Sequence, residues 1–166
     1  MKKITLLTIL PVLLFLISAF LTSNYKGATF IIEGQPVKLD GKSTRYFGNE
    51  LVIDLDGNGR NDVVFIVTQN PGGSGTFFYA VASLRKGFGY KGSEGYLLGD
   101  RIAPQNINVS PNPRHRNVIV VNYADRASGE PMTTKPSVGK SVYLKIDPVS
   151  RQWGIVEPNF EGESNY

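Results

Sequence analysis

Two hydrophobic patterns meet near residue 25. From Ile4 to Ser23 no charged residue occurs and apolar ones dominate, close to the roughly 20 residues that span a bilayer as a helix. Beyond it the apolar period is two rather than 3.6, the spacing of half-buried strands. Segments 28–34 (ATFIIEG), 35–39 (QPVKL), 44–54 (TRYFGNELVID, interrupted at Gly48), 62–69 (DVVFIVTQ) and 75–85 (GTFFYAVASLR) read as strands. So do 94–100 (EGYLLGD), 107–110 (INVS), 117–124 (NVIVVNYA), 141–147 (SVYLKID) and 152–157 (QWGIVE). Val63 to Val67 is an unbroken apolar run rich in β-branched types, which predicts a strand covered on both faces. NPGGSG, KGFGYKGSEG, SPNPRHRN and ASGEPMTTKPSVGK between them carry turn chemistry. No 12-residue window after the leader has a helical period, though a short helix could lie in RIAPQN or in the 124–139 loop. The pattern predicts a mainly β fold: a single antiparallel sandwich or partly closed barrel after an N-terminal hydrophobic helix. Val63–Gln69 and Thr76–Leu84 pair as a hairpin across NPGGSG, with Gly72, Gly73 and Gly75 supplying positive φ.

The leader divides the chain into residues 1–25, a membrane anchor or signal peptide, and residues 26–166, an extracytoplasmic β-domain, with 24–27 as a short linker. Lys2 and Lys3 stay in the cytoplasm under either reading. A small-x-small cleavage pattern is missing from Ile17–Ala19 and Leu21–Ser23, which favours an uncleaved anchor. The domain then faces outside or the periplasm at the cell membrane, or is secreted if the leader is cut.

Composition narrows the chemistry. The 166 residues contain no cysteine, so disulfides, thiol nucleophiles and a lipid-modified cysteine are excluded. An exported domain without disulfides stands on burial or on a bound ion. The formal charge is +4, and setting aside Lys2 and Lys3 leaves 16 basic against 14 acidic residues. That near balance, without a basic stripe, argues against a nucleic-acid partner. The lone histidine, His115, lies in the Pro/Asn-rich PRHRN turn, and the expectation is that it faces solvent.

The segment from Asp54 to Asp62, DLDGNGRND, is the main chemical signal. Asp54, Asp56, Asn58 and Asp62 occupy positions 1, 3, 5 and 9 of a loop. The Arg60 carbonyl stands at position 7, and Gly59 permits the bend. Alternating carboxylates on a tight turn converge on a hard cation, and calcium takes six to eight such oxygens. Calcium is the expected cofactor, since the loop has no imidazole or thiolate to favour a softer metal. Position 12 is Phe65, where an EF-hand needs glutamate, and the flanks are strands rather than helices.

Such loops resemble the D-x-[DN]-G-[DN]-G-x-x-D turns of FG-GAP-type repeats, of which one copy occurs here. In addition, DLDGNGRNDVVFIV, GGSGTFFYAVASL and LLGDRI stand in an order similar to that of a group of bacterial exported proteins. That resemblance covers most of residues 28–147. It implies an extracytoplasmic β-domain and an ion site, and it implies no activity.

Two Asp-Arg pairs, Asp100-Arg101 and Asp125-Arg126, end predicted strands. They could line a pocket, since paired carboxylates serve in glycoside hydrolysis, or they could pin loops by pairing across strands. The long Ala124–Lys140 loop is where a docking partner would be sought. The aromatic residues Phe77, Phe78, Tyr79, Tyr96, Tyr123, Tyr143 and Trp153 fit core packing. The functional expectation is a membrane-anchored binding or envelope-structural domain with one calcium loop. Its partners would be the membrane through the N-terminal helix and an envelope protein or polysaccharide. The alternatives are a hydrolase of envelope polymers and a secreted ligand-binding or inhibitor module.

Overall fold

The computed structural model describes residues 24–159. The apolar leader lies outside them, and among the described residues no helix is long and apolar enough to cross a membrane. The fold is mainly β. Strands β1 (Phe30–Ile32) and β2 (Gln35–Val37) form a small hairpin. Strands β3 (Thr44–Ile53), β4 (Asp62–Gln69) and β5 (Phe77–Lys86) lie side by side in that order. The outer edge of β5 is shared: β6 (Gly89–Gly92) pairs with its last residues and β7 (Tyr96–Asp100) with its first. A second sheet runs β11 (Trp153–Ile155), β10 (Val138–Ile146), β9 (Val118–Asp125), β8 (Ala103–Val109). All strand pairings are antiparallel, apart from one parallel bridge between Ile31 and Glu94. The sheets do not close into a barrel.

The central β3–β7 sheet is covered on both sides. One face sends Val64, Ile66, Phe78, Ala80, Ala82 and Leu84 against Ile107, Ile119, Val121, Leu144 and Ile146 of the second sheet. The other face sends Val63, Phe65, Val67, Tyr79 and Val81 against Phe30 and Ile32 of the β1–β2 hairpin. This is why Val63–Val67 tolerates no polar residue: successive side chains enter two different cores. Phe65 is the centre of the second core, with Tyr25, Phe30 and Tyr46 rings 5.5, 5.7 and 5.5 Å away.

Several local expectations change in the folded chain. Residues 24–27 are not a free linker. They form a 3-10 turn, Tyr25–Gly27, whose Tyr25 carbonyl accepts from Ser83 Oγ at 2.7 Å. RIAPQN becomes the start of β8 and the 124–139 loop is turn and bend, so neither holds a helix. The predicted β4–β5 hairpin forms, with Val63 opposite Ser83 and Gln69 opposite Phe77. In its turn only Gly72 has positive φ, at 98°. Gly75 serves by close approach instead: a Cβ there would lie 3.0 Å from the Phe77 ring. The interruption at Gly48 is a bulge in β3, with Gly48 at φ 133° and Asn49 at φ 57°. It blunts an exposed sheet edge.

Candidate metal centre

The Asp54–Asp62 loop joins β3 to β4 at one end of the sandwich. Its backbone is built by its own side chains. Asp54 Oδ1 and Oδ2 accept from the N–H groups of Asn58 and Gly59 at 3.1 and 2.8 Å, and Asp56 Oδ1 accepts from Asn58 N–H at 3.2 Å. Asn58 Oδ1 accepts from Arg60 N–H at 2.9 Å. Gly57 and Gly59 take φ of 72° and 78°, open to glycine and strained for most side chains. The chain thereby doubles back, and one carboxylate oxygen from each of Asp54, Asp56 and Asp62 lies within 4.8 Å of the others. This acidic triad could hold a metal ion.

The three carboxylates differ in setting. Asp62 is fully buried. Its Oδ2 accepts from Leu55 N–H at 2.9 Å and its Oδ1 from Arg85 N–H at 2.7 Å. Burial pushes the Asp62 carboxyl above the ordinary aspartate range and Asp56 adds to that, while the two N–H groups pull it back. The Asp56 side chain is 1% exposed and pairs with Lys86 Nζ. Two carboxylates at the outer limit of that 4.8 Å range repel by about 3 kcal/mol at an effective dielectric of ~20. Counting the Lys86 ammonium against three carboxylates leaves two negative charges, with the Asp62 and Asp56 side chains buried and residues 57–61 of the turn exposed. A 280 Å³ groove lined by Leu55, Asp56, Asn117, Lys145, Ile146, Asp147 and Pro148 lies beside the loop.

Asn58 and Arg60 are exposed. The Asn58 amide nitrogen lies 3.5 Å from the Arg85 carbonyl, and Arg60 Nη1 donates to the Gly87 carbonyl at 3.2 Å. Both tie the loop to the β5–β6 turn. Lys86 and Arg85 did not figure in the local motif, because they come from the neighbouring hairpin. Extending the β4–β5 register one or two residues past Val63 and Ser83 would have brought Arg85 beside Asp62.

The two Asp-Arg pairs lie at the opposite end. Cross-strand pairing holds for Asp125, whose Oδ2 meets Lys140 Nζ at 2.7 Å. It does not hold for Asp100, which pairs with its own neighbour: Arg101 Nη2 is 3.0 Å away. Arg101 has φ 48°, so the chain has left the strand and the two side chains no longer point to opposite faces. Asp100 Oδ1 also accepts from Thr76 N–H at 2.8 Å. Arg126 Nη1 donates to the Arg101 carbonyl at 3.0 Å. These groups tie three connections together. Burial opposes ionisation of Asp100, but Arg101, Thr76 N–H and Arg126 outweigh it and hold the carboxyl low. Lys140, chiefly, does the same for Asp125. An open groove of 650 Å³ lies beside Asp125, Arg126, Met132, Val138 and Lys140.

His115 is partly buried rather than solvent-facing. Its Nδ1 is 2.6 Å from Ser110 Oγ, and its ring stands edge-on to Tyr143 at 5.9 Å. The aromatic expectation is met at Phe78, Tyr79 and Tyr123, which are buried. Tyr96 and Trp153 pack against the inter-sheet core and Phe77 against the second core. No known protein family, curated protein or solved structure matches this chain.

Proposed function

We propose that this chain is an extracytoplasmic β-domain held to the membrane by its N-terminal apolar segment, with one calcium ion in the Asp54–Asp62 loop, and that it serves binding or envelope structure. The observation that carries the reading is the convergence of Asp54, Asp56 and Asp62 within 4.8 Å around a residual charge of two. A divalent ion neutralises that charge. Hard carboxylate oxygens without imidazole or thiolate favour calcium or magnesium, and a loop that offers side-chain and backbone oxygens at alternating positions suits the larger ion's irregular shell. In this reading the Asn58 side-chain oxygen, which has a second lone pair, and the Arg60 carbonyl complete the ligand set. The ion's role is stabilisation: a ligand that binds only the folded state adds about 2.7 kcal/mol at a hundredfold excess over Kd.

The hydrolase reading finds less support. A two-carboxylate glycosidase needs one acid held protonated by a raised pKa. Asp100 and Asp125 are both held low, and each is occupied in joining loops.

Calorimetry and thermal melts of the full chain in chelator, calcium and magnesium test the proposal. Calcium should raise Tm more than magnesium at equal concentration, and Asp56→Ala should erase the rise. A melt indifferent to calcium rejects the ion site.

A further inference from the structure

We infer, on the tethered reading above, that the β5–β6 hairpin tip is a membrane-contacting edge, with Phe88 entering the headgroup layer of an anionic bilayer. Phe88 is 89% exposed. It is the second residue of a two-residue loop between Lys86 and Gly89, and Gly87 at φ 59° provides the positive φ that such loops need at their first position. A single bare phenylalanine says little by itself. Two further observations give it a partner.

The first is charge. Arg60 donates to the Gly87 carbonyl and exposed Lys91 follows the turn, while Lys86, which precedes it, is paired with Asp56. An apolar ring among cations is the composition that binds anionic lipid surfaces. The nearby Asp54 and Asp56 carboxylates oppose this, and an ion in their loop offsets them.

The second is reach. Only three residues, Thr22 to Asn24, separate Leu21, at the end of the apolar run, from Tyr25, so the two lie within about 14 Å of each other even when the chain is fully extended. Tyr25 is fixed beside the hairpin: its ring is 6.4 Å from that of Tyr90, two residues beyond Phe88, and its carbonyl binds Ser83. A membrane that holds Ile4–Ser23 therefore lies close to this edge and not to the Asp100–Asp125 end.

The chain has no cysteine, which permits clean single-site labelling. Full-length Phe88→Cys and Ser128→Cys, each carrying an environment-sensitive dye, are reconstituted in millimolar calcium. The vesicles are phosphatidylcholine alone or phosphatidylcholine with phosphatidylglycerol, with shallow nitroxide-labelled lipid as quencher. The expected result is a blue shift and strong quenching at position 88, larger in the anionic vesicles, with neither at position 128 in the opposite-end loop. Adding Lys91→Glu should narrow the gap between the two lipid compositions. If the chain floats with vesicles yet the dye at 88 stays in water, the edge does not touch lipid and this inference falls while the tether stands. If the chain does not float with vesicles at all, the tether itself is wrong and the contact goes with it. A blue shift that depends on protein concentration and not on lipid assigns the tip to a second protein copy and overturns the lipid contact.

Discussion

Asp62→Asn separates a structural carboxylate from a metal-binding one, because its effect should change with calcium. Asp62 gives one oxygen to Leu55 N–H and the other to Arg85 N–H. Asparagine keeps the shape but offers a single acceptor oxygen, so one buried N–H faces an NH₂ group. Leaving a buried donor unsatisfied costs about 1–3 kcal/mol. Against that, the substitution removes a fully buried charge. It also removes the Asp56 repulsion, about 3 kcal/mol at the outer limit of the 4.8 Å within which their oxygens lie, for an effective dielectric of ~20. In chelator the two effects nearly cancel, and the variant should melt close to the parent. In calcium at a hundredfold over Kd the parent gains about 2.7 kcal/mol and the variant does not. A domain of this size shifts Tm by about 4 °C per kcal/mol, so the calcium-specific gap should be about 10 °C. Paired thermal melts by circular dichroism read it directly. If Asp62→Asn lowers Tm equally in chelator and in calcium, the carboxylate only holds the backbone, and the metal assignment is wrong.

The remaining predictions are narrower. The Asp62 carboxyl is raised, so its protonation favours the folded state. In chelator its contribution is full below about pH 3.9 and is lost as pH rises through the folded value. Urea melts across this range should show that loss in the parent and not in Asp62→Asn. Asp40 behaves in the opposite sense: Ser43 Oγ–H, then the N–H groups of Thr44 and Lys42, hold it down to about 2, so its contribution is present above about pH 3.9 and fades as pH falls toward 2. Carbon-detected NMR should find that midpoint, and Ser43→Ala should raise it. Lys86→Gln leaves the Asp56 side chain, 1% exposed, without its ammonium; it should destabilise by about 2 kcal/mol in chelator and tighten calcium binding in calorimetry. Phe65→Ala should cost about 3–5 kcal/mol by chemical denaturation, because it empties the centre of the second core. Gly92→Ala should cost about 1–3 kcal/mol, since a Cβ there would meet the Thr29 carbonyl oxygen at 2.3 Å and push β1 away from β6.

The period-two pattern, the turn residues and the double-faced strand at Val63–Val67 were readable along the chain, because alternation and turn chemistry depend on near neighbours. The β4–β5 hairpin and the convergence of Asp54 and Asp56 were readable for the same reason: a tight turn carries its own geometry. The unseen features came from residues brought together by register and layering. Arg101 leaving the strand at positive φ set Asp100 beside its neighbour, against the strand rule. Ser110 and Tyr143 took His115 out of solvent, and Tyr25 turned a supposed linker into part of a core. The sequence by itself determined that this would be a β-domain with a cluster of oxygens in one turn, since both follow from local spacing. Only the tertiary structure decided that Asp62 is buried among backbone donors, that Lys86 offsets one charge, and that the loop stands beside Phe88, because those contacts depend on how separate hairpins pack.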